Sequence, residues 1–316
     1  MNHSSPKKLM KKDFLSITDL TKQEIENIIQ KAIVLKHAKN TVAFPLQNKT
    51  LVMIFEKPSL RTRVSFEIGV KQLGGATVLL ENNTIGLGTR ESIKDISFVL
   101  ARMSSAIMAR VNNHTLLLQI AEHANVPVIN GLSDLEHPCQ ILADLMTIYE
   151  KKGRLKNLKL ACIGDGANNV AHSLCLAASV FDLSFSVASP LNYRLSRSIV
   201  SKAKDINKSF DLLETENVQK AVTNADVVIT DTWVSMGNEG EKKIREFYLR
   251  PYQVTSDVMR FAKTNAIFLH CMPVYRGSEA TGEVVDGVQS AMYQEAENRL
   301  HVQKALLLHL LGVTQP

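Results

Sequence analysis

An α/β fold of two domains, each a mostly parallel sheet flanked by helices, is the architecture this sequence predicts, and three observations predict it. Short apolar, β-prone runs alternate with segments whose apolar residues recur at helical spacing, from residue 51 to near the end of the chain. Run 225–230, ADVVIT, is apolar over most of its length, as a strand buried on both faces of a parallel sheet must be. At Lys151-Lys152-Gly153-Arg154 a helical pattern stops, charge rises and a second alternating series begins. The expected division is a first domain over residues 1–150 and a second over 151–289. The apolar C-terminal helix, within residues 290–316, is expected to pack back on the first.

With 316 residues there is material for two cores of ordinary size. An apolar fraction of 45% and a charged fraction of 22% are those of a soluble globular protein. No run approaches the roughly 18 apolar residues that a membrane span needs, so no membrane partner is expected. The net charge of +6 is scattered and aromatics are only 6%, which favours small anionic substrates over nucleic acid. Lys7, Lys8, Lys11 and Lys12 are the exception and read as a solvated N-terminal arm. The first residues lack the apolar core of a secretory signal, and Cys139, Cys162, Cys175 and Cys271 show no Cys-x-x-Cys pairing. Neither a disulfide framework nor a zinc site is indicated, and a cytoplasmic setting fits.

In chain order, Thr21 and Glu24 form a capping box ahead of Ile25, Ile28, Ile29 and Ala32, an outer helix running to about Ala38. Residues 51–55 are a strand, broken at Lys57-Pro58-Ser59, after which Val64, Phe66, Ile68, Val70 and Leu73 mark a helix. Arg61 and Arg63 fall in its first turn, where the macrodipole is already positive and each misplaced cation costs roughly 0.3–1 kcal/mol. A bound anion reverses that cost, so Ser59, Arg61, Thr62, Arg63 and the open N–H groups make a phosphate cradle. The competing reading pairs the arginines with acids such as Glu56 or Glu67. Residues 76–80 are a second strand, followed by a polar loop, 81–90, from which Asn82, Asn83, Thr84 or Arg90 can reach a ligand, and by a helix over 92–103.

Strand 106–111 carries Arg110 near its carboxyl end, the edge where open α/β sheets bind ligands; a plain edge arginine with a carboxylate partner is the alternative. Helix 116–124 and strand 126–130 lead into a polar loop, 131–140, and a long helix, 141–151. His137 and Gln140 stand at that helix start with Pro138 where proline is tolerated, as a second anion contact or as an ordinary capped loop.

Strand 158–163, loop 164–169, helix 170–181 and strand 183–188 open the second series as a βαβ unit. Asn169 replaces the third glycine of the dinucleotide fingerprint, and the second strand ends without a ribose-binding acid, so a nicotinamide site is rejected. Asn168 and Asn169 instead offer amides to a carboxylate or zwitterion. Helices 194–207 and 217–223 precede strand 225–230, which ends at Asp231, placed to hold an ammonium group. Ser235 and Gly237 beyond it let a ligand approach the backbone. Helices near 242–248 and 256–263 lead to the last strand, 266–270, and then to Cys271, a thiol at the same edge as Asp231 or simply a small buried residue. The final helix, 289–311, carries Arg299 on its polar side.

Four motifs now stand in order over nearly the whole chain: Ser59-Leu60-Arg61-Thr62-Arg63, His137-Pro138-Cys139-Gln140, Asp231 with Ser235-Met236-Gly237, and His270-Cys271-Met272-Pro273. In them the sequence resembles the ornithine carbamoyltransferases. The first two are shared across the transcarbamylase family; the last two point to ornithine rather than aspartate as acceptor. The resemblance implies a carbamoyl phosphate domain followed by an ornithine domain, a homotrimer or larger homo-oligomer, no metal or organic cofactor, and release of citrulline and phosphate in arginine metabolism. It implies that Ser59, Leu60, Arg61, Thr62, Asn83, Arg110, His137, Gln140 and Arg299 bind carbamoyl phosphate. Asn168 or Asn169, Asp231, Ser235, Met236, Cys271 and Met272 would bind L-ornithine, with Cys271, Arg61, Arg110 and His137 as the catalytic groups. Leu60 stands where the family commonly has threonine and Met272 where leucine is usual. Asn83 is the candidate for a side chain that a neighbouring subunit often contributes as glutamine. Acceptors such as putrescine, acetylornithine or aspartate, and a non-catalytic subunit of the same fold, are the alternatives.

Overall fold

In the computed structural model, which describes residues 12–38, 44–81, 85–234 and 239–313, every strand pairing within the two sheets is parallel. The first sheet runs in the order β2-β1-β3-β4, from β1 (Thr50–Phe55), β2 (Ala76–Glu81), β3 (Ala106–Arg110) and β4 (Val128–Leu132). Its crossovers are α2 (Leu60–Gln72), α3 (Ile93–Met103) and α4 (His114–His123), with α1 (Lys22–His37) before the sheet and α5 (Pro138–Lys152) after it. The second sheet runs β7-β6-β5-β8-β9, from β5 (Lys159–Ile163), β6 (Ser184–Ala188), β7 (Leu212–Thr215), β8 (Val227–Thr230) and β9 (Ile267–Leu269). Around it lie α6 (Asn169–Phe181), α7 (Arg197–Ile206), α8 (Val218–Val222), α9 (Lys242–Leu249), α10 (Ser256–Phe261) and α11 (Gly282–Val285). The chain closes with α12 (Met292–Leu310), which packs against α1, α2 and α5 of the first unit.

Local chemistry accounts for these boundaries. The Thr21–Glu24 capping box forms in both directions, the Thr21 N–H donating to Glu24 Oε2 at 2.9 Å and the Glu24 N–H to Thr21 Oγ1 at 3.3 Å. Helix α5 has Pro138 at its first turn and ends at Gly153, whose φ of 70° lies in the left-handed region that glycine adopts without strain. One continuous core cluster extends from α1 and α12 through α5 into α6 and β5, so the two sheets share apolar packing behind the cleft that divides them.

Sheet order creates a switch point in each unit, where the chain leaves neighbouring strands in opposite directions: between β1 and β3 in the first and between β5 and β8 in the second. Crevices of this kind are where open α/β sheets bind ligands. The two lie at the carboxyl edges that face the same cleft.

Four sequence expectations need correction. Strand β4 continues through Gly131 and Leu132, which the sequence reading placed in a loop. A Cβ at Gly131 would meet Met108 Sδ at 2.4 Å, so the buried Met108 side chain would have to shift to admit any other residue. Strand β7 was missed because it is an edge strand of four half-buried residues, too short to show alternation, and α11 because it is a single turn. Residues 191–193 form a 3₁₀ turn, and α7 begins three residues later than the expected Arg194 start. The polar side of the last helix, on which Arg299 was expected, is itself buried: Arg299 is 2% exposed, and Glu295, Asn298, Gln303 and Lys304 are buried with it.

Candidate active site

One wall of the cleft is built where β1 and β3 end. Ser59 caps α2, its Oγ accepting the Thr62 N–H at 3.3 Å, so the open end of the helix faces the cleft. Arg61 crosses from this helix start to the second unit and donates to the Met272 carbonyl at 2.7 Å. Met272 itself sits at φ 61°, a left-handed conformation that costs a non-glycine residue roughly 1–3 kcal/mol. Arg63 faces solvent and pairs with Glu67 at 3.0 Å, so the two arginines divide: Arg61 serves the cleft and Arg63 takes the ordinary helix-surface pairing. Leu60 lines the rim with its side chain 72% exposed.

Arg110, His137 and Arg299 complete this wall. Arg299 donates to Gln140 Oε1 at 2.7 Å and Thr62 Oγ1 at 3.3 Å, and its Nη1 lies 3.4 Å from His137 Nε2. A guanidinium only donates, so this contact makes Nε2 the acceptor and leaves the hydrogen on Nδ1. Burial, then Arg299, Arg110 and Arg61, hold the His137 imidazole well below its usual range, and it stays neutral. Arg110 is 7% exposed, its Nε without a partner among the described residues; burial and then Arg299 bring it down to about 10. Arg61, Arg110 and Arg299 thus converge with neutral hydrogen-bond partners, an arrangement suited to a multiply charged anion. Gln140 is not on the lining. Its amide stands one layer back, holding Arg299.

The facing wall comes from the second unit. Asn168 caps α6, its Oδ1 accepting the Ala171 N–H at 2.8 Å, and Asn169 Nδ2 donates to the Ser133 carbonyl at 2.7 Å. Asn168 therefore keeps an amide donor, and Asn169 an acceptor, for the cleft they both line. Asp231, at the end of β8, accepts the Cys271 thiol at 3.0 Å and the Thr232 N–H at 2.7 Å through Oδ1. Burial, followed by the Asp231 charge, pushes the Cys271 thiol well up, which favours the protonated form that donates to Asp231. Ser235, Met236 and Asn83 lie outside the described residues.

Asp231, His270 and Cys271 bring three ligand-type atoms within 4.8 Å of one another. They are already engaged: His270 Nδ1 accepts the Met272 N–H at 2.8 Å, and its Nε2 lies 3.1 Å from Glu279 Oε1. The whole cavity measures about 800 Å³. It also draws in residues the sequence reading passed over. Asp165 and Arg245 form a buried ion pair, and Arg245 Nε donates to the Trp233 carbonyl at 2.7 Å, tethering the loop after β8. Burial raises the Asp165 carboxyl to about 6 despite that pairing. The only sequence signal was Asp165 in a strand-to-helix turn, and its partner lies 80 residues away.

A cationic wall opposite an amide-and-carboxylate wall, each at the switch point of a parallel sheet, defines a class: enzymes that hold two small charged substrates in one cleft. The family models identify which. Residues 12–150 match the carbamoyl-P binding domain of aspartate/ornithine carbamoyltransferase, and residues 156–310 match its Asp/Orn binding domain. The chain belongs to the aspartate/ornithine carbamoyltransferase family. It is 47% identical to the ornithine carbamoyltransferase of Anoxybacillus flavithermus, over 98% of this chain and 100% of that one. Against the ornithine carbamoyltransferase of Archaeoglobus fulgidus the identity is 45%, over 95% and 98%. The solved ornithine carbamoyltransferase from Pyrococcus furiosus superposes with a TM-score of 0.91 at 43% identity, covering 97% of this chain and 99% of that one. A solved acetylornithine transcarbamylase complexed with acetylcitrulline superposes at 0.86 with 29% identity, covering 96% and 100%.

Proposed function

We propose that this protein transfers the carbamoyl group of carbamoyl phosphate to the δ-amine of L-ornithine, giving L-citrulline and phosphate. The observation that carries the reading is the convergence of Arg61, Arg110 and Arg299 on one wall, across from Asp231 and Cys271. In this reading the phosphate docks at the α2 N-terminus on Ser59, the Leu60 N–H, Arg61 and Thr62, and the carbonyl oxygen is held by Arg110 and the neutral His137. The ornithine carboxylate meets the Asn168 amide donor, and its α-ammonium meets Asp231. Ser235 and Met236 are assigned to the same subsite. The neutral δ-amine attacks the carbonyl carbon; a C–N bond forms, and the tetrahedral intermediate collapses by breaking the C–O bond to phosphate. Phosphate leaves with the electron pair, and the proton from nitrogen passes to it. Preorganised cations and N–H donors lower the barrier as charge grows on these oxygens. Cys271 contributes by holding Asp231 in place, as a thiol donor.

The first unit, with α12, would then be the carbamoyl phosphate domain, and residues 151–289 the ornithine domain. Exposed Val64 and Ile68 on α2, with Phe98, Val99 and Met103 on α3, support a homo-oligomer, a trimer in this reading, in which Asn83 is assigned to a neighbouring subunit's site. No helix among the described residues is long and apolar enough to cross a membrane. A cytoplasmic enzyme of arginine metabolism is the setting we assign.

The test is a citrulline assay with purified protein, offering ornithine, N-acetylornithine, putrescine and aspartate in turn with carbamoyl phosphate. Ornithine should be preferred, because an acetylated α-amine leaves Asp231 facing an uncharged amide. Preference for acetylornithine, or no turnover of any amine by folded protein, would sink the reading.

A further inference from the structure

Behind the cationic wall lie two carboxyl groups that the transfer chemistry above does not use. Glu295 on α12 and Asp144 on α5 are each 1% exposed. We infer, resting on the transfer reading, that Glu295 is a positioning residue: one carboxylate couples the carbamoyl phosphate wall to the loop carrying Cys271. Its Oε1 accepts Gln140 Nε2 at 2.7 Å, and Gln140 Oε1 in turn accepts Arg299 at 2.7 Å. Its Oε2 accepts the His270 N–H at 2.9 Å, one residue before Cys271. A single side chain of the C-terminal helix therefore sets both the guanidinium of one wall and the strand end of the other. Neither oxygen is interchangeable, because Gln140 cannot turn its amide over without losing Arg299.

Asp144 has a different part. Its Oδ1 also accepts Gln140 Nε2, at 2.9 Å, so two buried carboxyls meet on one amide nitrogen. Burial pushes both carboxyls up, Asp144 to about 6. Both Glu295 oxygens accept N–H bonds, whereas Asp144 meets the network through Oδ1.

This division predicts an asymmetry between two isosteric variants. In Asp144→Asn the amide oxygen can still accept from Gln140, so both contacts that Glu295 makes survive. In Glu295→Gln one of the two acceptors becomes a donor, and either Gln140 Nε2 or the His270 N–H must face another N–H. With wild type active, Glu295→Gln should lower kcat by about tenfold or more and raise KM for both substrates, with unfolding still cooperative. Asp144→Asn should stay within about threefold on each constant. Glu295→Asp, which keeps two acceptors on a shorter arm, should recover part of the lost kcat. If Glu295→Gln does not fold, a kcat loss in Glu295→Asp larger than in Asp144→Asn carries the same point. Equal kinetics in the Glu295 and Asp144 variants would overturn the inference. Calorimetric titration with inorganic phosphate reads the Arg299 wall without turnover: an inactive wild type sinks the transfer reading, whereas phosphate affinity lost in Glu295→Gln but kept in Asp144→Asn still upholds the positioning role.

Discussion

Arg61 and Arg63 are two residues apart, carry the same charge and stand in the same helical turn, yet only Arg61 enters the cleft. For Arg61→Ala, kcat/KM should fall by about 10²–10³-fold, as when a preorganised donor to a developing charge is removed, with the unfolding midpoint nearly unchanged. Near-normal carbamoyl phosphate affinity in that variant would contradict the cradle. Cys271 is a second case where chemistry overrides residue type, because its thiol donates to Asp231 and stays protonated. Cys271→Ala should cost about tenfold or more in the ornithine-dependent rate, and Cys271→Ser, whose hydroxyl can also donate, should recover much of it. The alkaline limb of the pH–rate profile should be the same in Cys271→Ser and wild type, since no thiolate takes part. His137 gives a pH dependence of stability instead. Its folded pKa lies well below its ordinary 6.5, so as pH falls below about 6.5 the unfolded chain binds a proton that the folded one refuses, and stability is lost. His137→Gln should lose less stability than wild type between about pH 7 and pH 5 in urea unfolding, because that proton uptake is gone.

At the scale of elements, what matters is which edge a strand presents. Strands β1, β3, β5 and β8 were readable from apolar runs, and residues at or beyond their carboxyl ends, Ser59, Arg110, Asn168 and Asp231, all line the cleft. Strand β4 was read short because glycine usually breaks a strand, whereas Gly131 lies within it against Met108. Gly131→Ala should therefore destabilise the fold by about 1–3 kcal/mol through overpacking, and should also lower kcat, since β4 delivers His137 to the cleft. Gly153→Ala offers the contrast: nothing lies within 4 Å of its Cβ, so only the φ of 70° resists. It should cost about 1 kcal/mol and leave turnover unchanged, measured by thermal unfolding beside a citrulline assay.

At the scale of the whole molecule, α12 turns two sheets into one machine. It carries Arg299 into the first unit's wall and places Glu295 against His270 of the second. In the proposed homo-oligomer the apolar side chains left exposed on α2 and α3 would meet further copies of the chain. Light scattering should give three times the 35.1 kDa chain mass, and Val64→Asp with Ile68→Asp should drive it toward the monomer. A monomeric wild type at assay concentration would remove the oligomer from the functional reading.

Periodicity, composition and four short motifs determined the fold class, the alternation of elements and most of the cleft's lining, because apolar spacing records which face of each element is buried. Only the tertiary structure decided what each polar group does there. From its helix position Arg299 read only as lying on the polar side, and Asp144 and Glu295 carried no signal at all. Their roles depend on neighbours 155 residues apart, as Gln140 and Glu295 are, and on a buried environment that raises both acids and brings them onto one amide. Local sequence encodes burial. The electrostatic meaning of a buried charge is set by what the folded chain brings beside it.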